Sequence, residues 1–237
     1  GKSGALECRD GCNVISQNSQ GIEIRGLEAK NNRIVGNFIG TDVSGTVDLG
    51  NQFSGVSISN APGNHIGISS GETASSSPNL ISGNGSSGVQ ISGAQATGNN
   101  VISNLIGSDK TGTASLGNGS FGVEISGAKN NRIGGVSKSG ESNLISGNAL
   151  SGVSIQGSDA SGNTVQANLI GTQLSDLSAP IPNGSSGVQI GGGASNNTIG
   201  GIKNDSDLVH PGNIIAFNKS HGVVVESGVN NRILGNT

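Results

Sequence analysis

The apolar residues of this chain fall in short alternating units, and the units recur. Gly-apolar-x-apolar starts at Gly21, Gly55, Gly88, Gly122, Gly152, Gly187 and Gly222, in steps of 34, 33, 34, 30, 35 and 35 residues. Successive side chains of an extended segment alternate between faces. The two apolar residues of each unit therefore share one face, and the residue between them takes the other. A second unit, Asn-x-Ile or Asn-x-Val, follows at Asn32, Asn64, Asn100, Asn131, Asn163, Asn197 and Asn231. A third alternates between two forms. Asn-(Phe/Leu)-Ile-Gly occurs at Asn37, Asn104 and Asn168, and Asn-Leu-Ile-Ser-Gly-Asn at Asn79 and Asn143, with variants at Asn13 and Asn213. The full sequence period is thus two coils, about 64 to 70 residues.

These units predict three short strands per coil. No segment carries a helical stripe of apolar residues, and Gly, Asn and Ser bound every unit as turn residues. Strands of this length with no hairpin signal between them are expected to stack parallel on their counterparts one coil away, giving a β-solenoid of about seven coils of ~34 residues. The Val, Ile and Leu positions are expected to form interior ladders. In the first unit these are Ile22, Ile24, Val56, Ile58, Val89, Ile91, Val123, Ile125, Val153, Ile155, Val188, Ile190, Val223 and Val225. The recurring Asn residues are expected to stack as side-chain amide ladders inside the turns. Residues 1–237 read as a single domain with partial coils at both ends.

Asn-Arg-Ile-Gly-Gly (131–135), Asn-Leu-Ile-Ser-Gly-Asn (143–148), Gly-Val-x-Ile and Asn-Leu-Ile-Gly-(Thr/Ser) resemble the parallel β-helix repeats of large bacterial secreted and cell-surface proteins. The resemblance covers nearly the whole chain and implies an all-β, right-handed parallel β-helix. That fold hosts lyases, epimerases, tailspikes, adhesins and structural stalks, so it does not name a function. No catalytic motif of those families is matched, and no catalytic residue is carried over.

Composition narrows the classes further. Glycine makes up 43 of 237 residues, aromatics are 2% with no Trp or Tyr, and the formal net charge is −3 with 11% charged residues. Twelve Lys and Arg are scattered without a basic run, and there is almost no aromatic surface for base stacking, which argues against a nucleic-acid partner. No apolar stretch approaches the ~18 residues of a membrane span. The sequence lacks a signal peptide and any Met, so the chain is expected to have been processed or cut from something longer. An extracellular or cell-surface location is expected.

Candidate chemistry is sparse. Cys8 and Cys12 in Cys8-Arg9-Asp10-Gly11-Cys12 suit a local disulfide in an oxidising compartment, two free loop thiols, or a metal site, though C-x3-C is not a standard zinc spacing. The outward column of the first strands reads Glu23, Ser57, Gln90, Glu124, Ser154, Gln189, Val224. Glu23 and Glu124 lie three coils apart, roughly 14 Å, too far for a carboxylate pair. The outward column of the second strands reads Arg33, His65, Val101, Arg132, Thr164, Thr198, Arg232, a mildly basic stripe suited to an anionic surface or glycan, or simply solvated. The loop from Asp42 to Asp48 reads either as a calcium loop or as a turn whose Asp and Thr bond the backbone. Its counterparts fade, since Asp109 and Gln173 stand for Asp42 and Ser115 for Asp48. Ser220, His221 and Asp207 form a triad only on paper, because neighbours on a strand face opposite ways. Sequons such as Asn118-Gly119-Ser120 and Asn183-Gly184-Ser185 occur in a chain rich in Asn and Ser.

Two functions are expected from these features. The first is a non-enzymatic extracellular structural or adhesive solenoid with no cofactor. Its partners would be copies of itself stacked head-to-tail, or neighbouring coils of a longer chain, because residues 222–237 and 1–20 together approximate one coil. The alternative is a polysaccharide-binding or polysaccharide-processing β-helix module, lyase- or epimerase-like.

Overall fold

The computed structural model describes residues 6–8, 12–68, 77–135, 141–201 and 212–237. Among them there is no helix, and 21 short strands sort into three seven-stranded parallel sheets. Sheet 1 carries the Gly-apolar-x-apolar strands, from Ile22–Arg25 through Val123–Ser126 to Val223–Val225. Sheet 2 carries the second unit, from Arg33–Ile34 to Arg232–Leu234, and sheet 3 the third, from Val14–Ile15 to Ile214–Ile215. Each strand pairs with its equivalent one coil away, so the chain winds as a solenoid of about six complete turns with a spacing near 34 residues.

The register follows the sequence pattern. Val123 and Ile125 pair with Val89 and Ile91 on one side and with Val153 and Ile155 on the other, and all six are fully buried. Each such side chain contributes roughly 1.5–3 kcal/mol. A single coil cannot offset its own ordering entropy with so few of them, and stacking supplies partners on both sides. Val225 departs from expectation: it is 41% exposed, because its strand pairs on one side only, with Val188–Gly191.

Each of the three corners holds its own asparagine column. Between sheets 1 and 2 it runs Asn32, Asn64, Asn99, Asn131, Asn163, Asn197, Asn231. Between sheets 2 and 3 it runs Asn13, Asn37, Asn79, Asn104, Asn143, Asn168, Asn213, Asn236. Between sheets 3 and 1 it runs Asn18, Asn51, Asn84, Asn118, Asn148, Asn183, Asn218. Every Nδ2 donates to the next Oδ1 at 2.8–3.2 Å, and most backbone N–H groups reach the same oxygen. The turn backbone, left without a strand partner, is satisfied in this way.

One register expectation is corrected. Asn99, not Asn100, occupies the corner column, and Asn100 instead pairs with His65 and Arg132 in sheet 2. Val101 then points inward beside Ile66 and Ile133 and is fully buried. In the column between sheets 1 and 2 the residue before each asparagine takes a left-handed φ, filled by Gly63, Gly98 and Gly162 or by Asn31, Asn130, Asn196 and Asn230. That conformation suits Gly and Asn and few other residues.

A second core lies outside sheet 3. Phe38, Leu80, Leu105 and Leu144 face away from the solenoid interior yet are buried. The interior is therefore built from the Ile of each third unit, and the Leu or Phe before it packs externally. Hairpins closed by Thr41↔Asp48 and Ser108↔Ser115 fold over this column. Gly45 touches it so closely that a Cβ there would stand 2.8 Å from Phe38 Cε2 and 3.0 Å from Leu80 Cδ2. Lys110 N donates to Gly45 O, and Leu174 N to Gly112 O, so the hairpins are bonded to one another across two coils.

Candidate functional site

The strands of sheet 2 set one outward side chain per coil, because inward Ile and Val fix the alternation. The column reads Arg33, His65, Asn100, Arg132, Thr164, Thr198, Arg232. Asn100 replaces the Val101 expected from sequence, so the column has no apolar member and no carboxylate. Arg33 and Arg232 are exposed. Arg132 is half-buried; its Nε donates to Asn100 Oδ1 at 3.0 Å, and a terminal nitrogen lies 3.7 Å from the buried Glu141 carboxylate. The guanidinium is thereby held in position.

Sheet 1 presents the other ordered column, and here all outward positions fall where the sequence put them. Glu124 Oε2 accepts from Ser87 Oγ at 2.9 Å and from Gln90 Nε2 at 3.1 Å, both one coil earlier. Gln189 Nε2 donates to Glu226 Oε1 at 3.0 Å. Arg25 lies 3.7 Å from Glu23. The carboxylates are each engaged with a different neighbour and do not converge.

The Asp42 loop forms as a self-contained hairpin. Asp42 Oδ1 accepts from Ser44 Oγ at 2.8 Å and from the N–H groups of Thr46 and Val47 at 3.2 and 3.1 Å. Asp109 repeats the arrangement with Thr111, Thr113 and Ala114. Partial burial alone raises the Asp42 pKa, but the hydrogen bonds from Ser44, Val47 and Thr46 outweigh it and hold the carboxyl below its usual range. Both aspartates thus take the turn role. Among the described residues no three His, Cys, Asp or Glu side chains gather as a metal site.

Cys8 and Cys12 stand with Cα atoms 5.1 Å apart and their sulfurs bonded, packed against the Phe38–Leu80 cluster. Ser220 and His221 do meet, contrary to the expectation of opposite faces. They lie in the turn before Val223–Val225, where Ser220 Oγ and His221 Nδ1 are 2.8 Å apart. Asp207 lies outside the described residues.

The third hairpin, closed by Thr172↔Pro180, is one residue longer and has no glycine at its tip. Where Gly45 and Gly112 let their hairpins rest on the leucine column, a cavity of about 440 Å³ opens here. Leu169, Leu174, Leu177 and Ile214 line it, with Ser142 and Ala167 at its edge. Sequence reasoning missed both this cavity and the external leucine column. The adjacent Leu-Ile pairs were the signal, since two consecutive apolar residues mark a strand buried on both faces.

No family model matches this chain, and no curated protein matches it. Two solved structures are similar over 93% of its length. One is the periplasmic alginate epimerase AlgG, at 17% identity, and the other is a point mutant of that protein, at 18%. Both have a TM-score of 0.38, and this chain spans 39% of the length of each. These structures are of an enzyme, and on that finding the expectation of a non-enzymatic protein is corrected. No residue role comes with this likeness. Among the described residues no helix is long and apolar enough to cross a membrane.

Proposed function

We propose that this chain is a polysaccharide-binding or polysaccharide-processing β-helix module whose ligand is an anionic polysaccharide lying along the solenoid axis on sheet 2. The observation that carries this reading is the outward column Arg33, His65, Asn100, Arg132, Thr164, Thr198, Arg232. Every member is a cation or a hydrogen-bonding side chain, one per coil, in a straight line. An extended sugar chain advances by nearly one strand spacing per ring, so successive rings meet successive side chains. Arginine suits carboxylate recognition because its planar fork matches the carboxylate geometry. A location outside the cytoplasm is supported by the Cys8–Cys12 disulfide, which persists in oxidising compartments.

The test is direct. The purified chain is titrated with a soluble polyuronate and with a neutral glucan at low and high NaCl, and the polyuronate is then assayed for unsaturated ends and for C5 inversion. Binding to the polyuronate alone, weakened by salt, is the expected result. No binding to any polyuronate at low salt refutes the proposal.

A further inference from the structure

The outward columns repeat with a period that belongs neither to the coil nor to the hairpins. Down sheet 1 the residues run Glu23, Ser57, Gln90, then Glu124, Ser154, Gln189. The same three residue types appear twice in the same order. Down sheet 2 the arginines take the first, fourth and seventh coils, as Arg33, Arg132 and Arg232. Between them stand His65 and Asn100, then Thr164 and Thr198, none with a permanent charge. Ala-Lys-Asn-Asn-Arg-Ile occurs at 29–34 and again at 128–133, which adds Lys30 and Lys129 to the same coils. Lys30 is engaged by Glu28 at 3.3 Å.

Three coils correspond to roughly 14 Å. That exceeds the screening length of about 8 Å at physiological ionic strength. The three guanidiniums therefore act as separate subsites, not as one diffuse positive field. An acidic group held opposite a guanidinium gains a charge-assisted hydrogen bond. The same group opposite Thr164 or Thr198 gives up hydration for a neutral hydroxyl. The face thus discriminates among polyanions by the spacing of their charges. Arg132 keeps its place through Asn100, and Glu141 offsets part of its charge, so the exposed Arg232 supplies a larger share of attraction than Arg132.

From this geometry we infer that sheet 2 recognises a polysaccharide whose acidic groups recur at every third sugar residue. The inference rests on the polysaccharide reading above and names the substrate class of that site.

Three synthetic seven-sugar chains of one backbone test it. The first carries carboxylates on residues one, four and seven, the second on one, three and five, and the third carries none. Dissociation constants come from calorimetry at physiological salt. The first chain is expected to bind about tenfold more tightly than the second and the third not at all. Arg232→Gln should weaken the first chain selectively. Thr164→Arg, which places a cation on an uncharged coil, should narrow the preference; circular dichroism and the melting temperature check that both variants fold. Equal binding of the two acidic chains overturns the spacing inference and leaves the proposed function standing. Failure of both acidic chains to bind, or equal binding of the uncharged one, overturns both.

Discussion

The side-chain amide of Asn84 and its backbone N–H both donate to one oxygen, Oδ1 of Asn118, at 2.9 and 3.1 Å. Asn118 in turn donates to Asn148 Oδ1 at 2.9 Å and to Ile81 O at 3.0 Å. Replacing Asn118 with Leu keeps the branched shape of the side chain, adds some volume at a buried site and orphans partners on three sides. Each buried group left without a partner costs about 1–3 kcal/mol, so the variant should lose several such increments in denaturant unfolding. Asn118→Asp should be at least as damaging at neutral pH, because a carboxylate oxygen then faces two acceptors, and should recover part of its stability as the carboxyl is protonated. A neutral effect of Asn118→Leu would remove the ladder from the list of stabilising elements.

Asn84-Gly85, Asn118-Gly119 and Asn183-Gly184 are of the sequence type most prone to deamidation, which needs the glycine nitrogen to attack the asparagine side chain. Here those nitrogens are occupied: Gly85 N donates to Asn51 O, Gly119 N to Asn84 O and Gly184 N to Asn148 O, at 2.7–2.8 Å. The folded protein should resist deamidation at all three, and the denatured chain should not. Peptide mass spectrometry after matched incubations checks this. The same burial should block glycan attachment at Asn118 and Asn183.

The Asp42 hairpin should be sensitive to acid. Its carboxyl pKa is lowered in the folded state, so the ionised form stabilises the hairpin. That stabilisation is present above the ordinary carboxylate value of about 3.9 and is lost as pH falls through the lowered value. The amide resonances of Thr46 and Val47, which bond Asp42 Oδ1, should titrate with a midpoint below that ordinary value. A midpoint at or above it would contradict the assigned bonds.

Gly45 has a φ of +66° and lies against Phe38 and Leu80. Gly45→Ala adds a methyl group with no space and an unfavourable backbone conformation, which should cost about 1–3 kcal/mol. The hairpin should lift from the leucine column, seen as faster amide exchange at Gly45 and Lys110. Asp176→Gly in the third hairpin is the converse, and it should reduce the cavity beneath it.

The solenoid and its inward columns were legible because period-two alternation and a fixed coil length are properties of the sequence alone. Two features were not. In Gly98-Asn99-Asn100-Val101-Ile102 both Asn residues precede an apolar residue at the right distance, so the motif fits in two registers. The left-handed position of Gly98 decides between them, as at Gly63-Asn64 and Gly162-Asn163. The Leu residues of the third unit read as interior because nothing in their own strand says that a hairpin from another part of the chain covers them: Gly45 lies against Leu80 and Gly112 against Leu144, each one coil further along. The basic stripe of the candidate site was visible, but the misplaced Val101 broke it into unequal pieces.

Hairpins recur every second coil and outward charges every third. The two scales behave as a vernier, coming into coincidence only after six coils. A chain of near-identical coils is exposed to slipped pairing while it folds. A slip of one or three coils opposes unlike corners, and a slip of two misaligns the arginine and glutamate columns. The sequence thus marks each coil with an address that the uniform strands do not carry.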